Sequence, residues 1–120
     1  MNLYMLIAAF NKELEGLVDL IQAKFPSDPG VGQTKAKIEM ANHFSPKTAA
    51  VGFMSYAVRF QKQLNARDEA FFLEQGMQTP ELAHLQLGVK WKQFTDPEKQ
   101  ILWEKVSTMN ELGKRIIASG

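Results

Sequence analysis

Apolar residues recur at spacings of three and four along most of this chain, and prolines, glycines and capping residues interrupt the pattern. The first segment shows it most fully, with apolar positions at Leu3, Leu6, Ile7, Phe10, Leu14, Leu17, Val18, Ile21 and Phe25. A period near 3.6 residues is typical of an amphipathic α-helix with one face in a core. Asn2 stands at a suitable N-cap position. The sequence therefore predicts a first helix of about six turns.

Helix-start and helix-stop signals divide the middle of the chain. A loop is expected from the cluster of Pro26, Pro29, Gly30 and Gly32. A second helix is predicted over 33–42. Ser45-Pro46 then has serine as a cap and proline in the first turn, where its missing N–H costs nothing. This predicts a third helix to about Asn65, burying Ala50, Phe53, Met54, Ala57, Phe60 and Leu64.

Three further helix starts are predicted in the second half of the chain. Asp68 is expected to cap a short helix that carries Phe71, Phe72 and Leu73 and ends at Gly76. Thr79-Pro80-Glu81 predicts the next start, with a buried stripe of Leu82, Leu85, Val89 and Trp91. Thr95-Asp96-Pro97-Glu98 has the pattern of a capping box with proline in the first turn. The last helix should bury Leu102, Val106, Met109, Leu112 or Gly113, and Ile116.

These signals predict an all-α protein. Alternating β-branched stretches and Asn-Gly or Asp-Gly hairpin signals are absent from the sequence. A length of 120 residues suits one domain, here residues 1–120 with five or six helices around one core. There is no cysteine, which excludes disulfides, thiolate metal sites and cysteine nucleophiles. The longest apolar run is too short for a membrane span, so no membrane partner is expected.

Catalytic and metal-binding patterns are missing. His43 and His84 lie on different predicted elements without the spacing of a zinc motif, and His43 suits a helix C-terminus. No serine lies in a Gly-x-Ser-x-Gly elbow. The segment Pro29 to Lys35 lacks the glycine spacing of a phosphate-binding loop, although amides before a helix, with Lys35 and Lys37 nearby, could bind a phosphate. We therefore expect no enzyme and no cofactor.

The net charge of +1 gives no global argument for nucleic acid, but the distribution is uneven. Between Val31 and Ala66 one anion, Glu39, accompanies five cations, namely Lys35, Lys37, Lys47, Arg59 and Lys62. These are the candidate contacts for a partner or for phosphate. They define the alternative function, a nucleic-acid-binding accessory protein using segment 35–62, with weak binding expected.

Phe71 and Phe72 are also candidate partner contacts. Two adjacent residues on one helix cannot face the same direction. One of the two side chains is therefore expected to cap a second core or to point outward toward a partner.

Several short motifs follow one another along most of the chain: Phe10-Asn11-Lys12-Glu13-Leu14, Phe25-Pro26, Phe53, Tyr56-Ala57, Asp68 to Leu73, Trp91, Thr95 to Lys99, Ile101-Leu102-Trp103 and Leu112-Gly113. Their order resembles that of short helical proteins of unknown function from large nucleocytoplasmic DNA viruses. It implies a helical fold, a viral context and a role by contact in the host cytoplasm or virion. We expect a non-enzymatic interaction or structural protein that contacts a protein partner or self-associates.

Overall fold

The computed structural model describes residues 2–75 and 86–119, apart from the side chains of residues 73 and 75. The described residues form helices and contain no strand, and the all-α single-domain prediction is confirmed. The helices are α1 (Leu3–Lys24), α2 (Pro29–Phe44), α3 (Thr48–Ala57), α4 (Gln61–Asn65), α5 (Glu69–Gln75), α6 (Leu87–Lys90) and α7 (Asp96–Ser119). Short 3₁₀ segments follow α3 at Val58–Phe60 and α6 at Trp91–Gln93.

The long helices α1 and α7 run antiparallel and form the main axis of the core. Lys24, at the end of α1, pairs with Glu98 at the start of α7 at 2.6 Å. Lys105, later in α7, lies 3.5 Å from Glu13, which is about three turns closer to the N-terminus of α1 than Lys24. The apolar stripe predicted for α1 is buried from Leu6 to Ile21.

Local capping explains where several helices begin. The Asn2 side chain accepts the Met5 amide at 2.9 Å, as predicted. The predicted Asp68 cap is confirmed, since its carboxylate accepts the Phe71 amide at 3.0 Å. The predicted capping box is also present. Glu98 accepts the Thr95 amide at 2.7 Å, and the Thr95 hydroxyl accepts the Glu98 amide at 3.3 Å. The hydrogen bond from Lys24, together with that from the Thr95 amide, lowers the pKa of Glu98.

Helix α2 is longer than the predicted 33–42. The Asp28 carboxylate accepts the Gly30 and Val31 amides at 2.8 and 3.3 Å, and Pro29 occupies the first helical position. An aspartate cap before proline therefore starts the helix four residues earlier, and the glycines assigned to a loop lie inside it. The ion pair with Lys90, at 3.0 Å, is the largest influence lowering the pKa of Asp28.

The predicted third helix is divided and begins later than expected. Ser45 ends α2 with extended backbone, and α3 begins at Thr48 with Lys47 at the cap position and no side-chain cap bond. The 3₁₀ segment then interrupts the helix before α4. Gln61 and Asn110 join α4 to α7 through two reciprocal amide hydrogen bonds of 2.8 and 2.9 Å.

The predicted stripe after Thr79 is wrong at Val89, which is 73% exposed in the short helix α6. Trp91 is buried as predicted, because the 3₁₀ segment turns its indole toward Phe72 and Trp103. Gly76, Thr79-Pro80-Glu81, Leu82, His84 and Leu85 lie outside the described residues. In α7 the predicted inward residues are buried, with Gly113 buried and Leu112 half-buried.

Candidate interaction surface

The five predicted contact cations do not all share one face. Lys35 and Lys37 are two residues apart on α2, which puts their side chains about 160° apart around the helix. Lys35 points toward α1, where its Nζ lies 3.3 Å from Asp19 Oδ1 and 3.2 Å from Gln22 Oε1. Lys37 and Lys47 are exposed. The segment 35–62 therefore presents its cations in separate directions.

Arg59 and Lys62 lie on the 3₁₀ segment and on α4, and both are exposed. The Arg59 guanidinium lies 5.6 Å from the centre of the Phe60 ring. These two cations therefore lie on the surface formed by the 3₁₀ segment after α3 and by α4.

The amides at the start of α2 are already used. The Asp28 carboxylate accepts hydrogen bonds from the Gly30 and Val31 amides, the same bonds that a bound anion would accept. Lys90 in turn neutralises that carboxylate. The predicted phosphate contact at this helix start is therefore occupied by a side chain of the chain itself.

Phe71 and Phe72 both pack against other aromatic rings. Phe72 is buried, with ring centres 5.5 Å from Trp91 and 5.2 Å from Trp103. Phe71 is half-buried, 4.9 Å from Phe60, whose ring also contacts Tyr56 at 4.8 Å. Burial raises the pKa of Tyr56. An apolar pocket beside these rings has a volume of about 20 Å³, which is room for little more than one water molecule.

One side of α2, which sequence reasoning did not single out, exposes a group of side chains. At about 100° per residue, six exposed side chains between Gln33 and Phe44 fall within an arc of about 120°, nearly opposite the buried Val31, Thr34 and Ile38. We call this arc the α2 outer face, and its residues are Gln33, Ala36, Lys37, Met40, His43 and Phe44. Met40, an apolar residue within the predicted second helix, is 63% exposed.

Two large apolar side chains dominate the α2 outer face. Phe44 is 85% exposed and Met40 is 63% exposed, and residues four apart are neighbours on a helix. Single exposed apolar residues are ordinary on protein surfaces, whereas adjacent ones create a patch that gains free energy when covered. Lys37 lies on the same face, and Lys47 follows in the turn after α2. The face combines apolar area with positive charge and contains no acid.

On its other side, α2 forms a cleft with α1. The cleft has a volume of about 470 Å³ and a base formed by the buried Val18 and Ile38. Its polar lining comes from both helices: Glu15, Asp19, Lys35, Glu39 and Asn42. The Asn42 side-chain oxygen is buried and accepts no hydrogen bond from the described residues. We call this feature the α1–α2 cleft; three acids and one lysine give it a negative charge.

Neither metal-binding groups among the described residues nor similarity to known proteins indicates a further functional site. Among residues 2–75 and 86–119, no group of three or more histidine, aspartate or glutamate side chains is placed to hold a metal ion. None of the helices described above has the length and apolar character needed to cross a membrane. Comparison with protein-family models, with curated proteins and with solved structures found no match. The function proposed below therefore rests on the α2 outer face and the α1–α2 cleft.

Proposed function

We propose that this chain is a small non-enzymatic helical interaction protein that binds a protein surface through the α2 outer face. The supporting observation is the exposure of the neighbouring Met40 and Phe44 side chains beside Lys37. The viral context implied by the sequence resemblance is part of this proposal, with that resemblance as its support.

The energetics favour a protein contact at this face. Fully burying an apolar side chain of this size contributes about 1.5–3 kcal/mol relative to its exposed state. Two such residues at the centre of an interface have the character of a binding hot spot. Lys37 and Lys47 would add attraction toward an acidic partner and would raise the association rate more than the affinity.

Nucleic acid fits the same face less well. Phosphate binding needs several cations on one surface, whereas Lys35 points away from this face and is paired with Asp19. Two exposed apolar side chains would contribute nothing to binding a duplex backbone. The partner proposed here is therefore a protein surface with apolar and acidic side chains.

Fluorescence anisotropy with two labelled probes tests this proposal. One probe is an amphipathic helical peptide with leucines on one face and glutamates beside them, and the other is a short DNA duplex. We expect the peptide to bind, with a dissociation constant at least about tenfold higher for the double variant Met40→Ser/Phe44→Ser. Val89→Ser is the matched control, because Val89 is as exposed but lies in α6.

DNA binding should be poorer than about 10⁻⁴ M at physiological salt. Equal peptide affinity in the Met40→Ser/Phe44→Ser variant and in the native chain would refute the proposed face. Sub-micromolar DNA binding that persists at physiological salt, and is lost in Lys35→Glu/Arg59→Glu, would support the nucleic-acid function instead.

A further inference from the structure

The α2 outer face and the α1–α2 cleft are complementary in charge. The face has Lys37, with Lys47 beyond its end, and the cleft has Glu15 and Glu39. Opposite charges on facing surfaces steer association and select the partner. One molecule thus has both the basic apolar surface and an acidic surface that suits it.

The cleft has the dimensions and the base that an inserted aromatic ring requires. Its volume of about 470 Å³ lies within the range of about 300–1,000 Å³ that is typical of ligand pockets. Val18 and Ile38 at its base are 1% and 4% exposed, and they offer apolar contact to a ring entering from outside. Asp19 is already paired with Lys35, so Glu15 and Glu39 remain at the cleft to meet incoming cations.

A single molecule cannot join its own two surfaces. Phe44 and Ile38 are six residues apart on α2, which places them about 120° apart around the helix, and Phe44 and Asn42 are about 160° apart. The ring of Phe44 therefore faces away from the cleft that Ile38 and Asn42 line. Contact between the face and the cleft requires two molecules.

We propose that the partner of the α2 outer face is a second copy of this chain, whose α1–α2 cleft receives the Phe44 side chain. This inference rests on the proposed function and identifies its partner. Because face and cleft are different surfaces, two molecules either exchange the contact reciprocally, which closes a twofold dimer, or repeat it head-to-tail. Head-to-tail contacts generate rings when the rotation closes and filaments when it does not. Each chain thus has one surface that donates the contact and one that receives it, as the subunit of an assembly requires.

Sedimentation velocity of the intact chain tests the assembly. We expect the weight-average mass to rise above the 13.5 kDa of one chain as concentration increases from about 10 µM to about 1 mM, the range of weak contacts. Added salt should reduce the association, because the charges are at the surface. Phe44→Ser should raise the dissociation constant about tenfold to a hundredfold. Lys92→Glu, an exposed cation on the 3₁₀ segment after α6, should leave it unchanged.

A mixing experiment distinguishes a face-to-cleft contact from any other self-association. The face variant is Met40→Ser/Phe44→Ser, and the cleft variant is Glu15→Lys/Glu39→Lys. All four residues are exposed, and circular dichroism will verify that both variants are folded. Each variant alone should be monomeric. Their mixture should form a 1:1 dimer and nothing larger, because only one intact face and one intact cleft remain.

The outcomes separate this inference from the proposed function. A native chain that stays monomeric at the highest concentration, or a mixture that fails to form the dimer, overturns the assembly. If the acidic peptide nevertheless binds and requires Phe44, the face contacts a different protein and the proposed function stands. Loss of peptide binding together with a monomeric native chain would overturn both.

Discussion

The packing of α7 against α3 at Gly113 allows a quantitative prediction. Gly113 is buried in α7, where α3 packs against it. A Cβ added at Gly113 would lie 2.6 Å from Met54 Cγ, inside van der Waals contact. Met54 is itself only 2% exposed, so its side chain has little room to move away.

Two opposing effects determine the stability of Gly113→Ala. Alanine is favoured over glycine in a helix interior by about 1 kcal/mol. Overpacking a well-filled core costs about 1–3 kcal/mol. We expect packing to dominate, with a net loss of up to about 2 kcal/mol in the free energy of unfolding. Gly32→Ala is the matched control, because nothing lies within 4 Å of its added Cβ, and it should stabilise by about 0.5–1 kcal/mol.

A double-mutant cycle then isolates the contact. Met54→Ala alone should cost about 2–5 kcal/mol through the cavity it leaves. Combined with Gly113→Ala, the total cost should be less than the sum of the two by about 1–3 kcal/mol, because the new methyl group no longer meets Met54. Urea unfolding followed by far-UV circular dichroism measures all four free energies. Additivity within about 0.5 kcal/mol, or a stabilising Gly113→Ala, would refute the close approach of α3 and α7.

Three further variants test caps, core and acid sensitivity. Thr95→Ala should cost about 1 kcal/mol in urea unfolding through loss of the cap, and an unchanged midpoint would contradict this. Trp103→Ala should cost about 3–5 kcal/mol, since the ring is buried; unchanged stability with lost self-association would make it a contact residue. The lowered pKa of Asp28 confers stability that is complete above about pH 3.9 and is lost as pH falls through the lowered value. Asp28→Asn should therefore flatten the acid side of the urea midpoint plotted against pH, and an unaltered curve would count against the Lys90 pair.

Sequence patterns predicted the helices whose signals are local. The stripe of α1, the Asp68 cap and the Thr95 capping box depend on residues within one or two turns of each other, and all three are present. The start of α2 differs from the prediction because proline and glycine ordinarily interrupt helices, although Asp28-Pro29 is itself a cap followed by a favoured first residue. That signal was available in the sequence.

The candidate surfaces depend on tertiary placement and could be predicted only in part. Lys37 and Lys47 were identified as contact cations, but the pairing of Lys35 with Asp19 depends on how α1 and α2 pack. The periodicity of α2 is weak, so the sequence could not tell which side Met40 would occupy. Phe44 gave no signal, because a phenylalanine at a helix end is usually covered by whatever follows. Here the chain turns toward α3 and leaves the ring exposed.

The paired amides of Gln61 and Asn110 have a consequence for how this sequence can evolve. Asn110 is only 2% exposed, and each amide satisfies the other. Replacing one alone leaves a buried donor and acceptor unpaired, at a cost of about 1–3 kcal/mol, whereas replacing both with apolar groups of similar shape can be nearly neutral. Natural variants of this fold should therefore change positions 61 and 110 together, passing from two amides to two aliphatic side chains and seldom stopping between them. The pair should be visible as covariation between α4 and α7 in any family of related sequences.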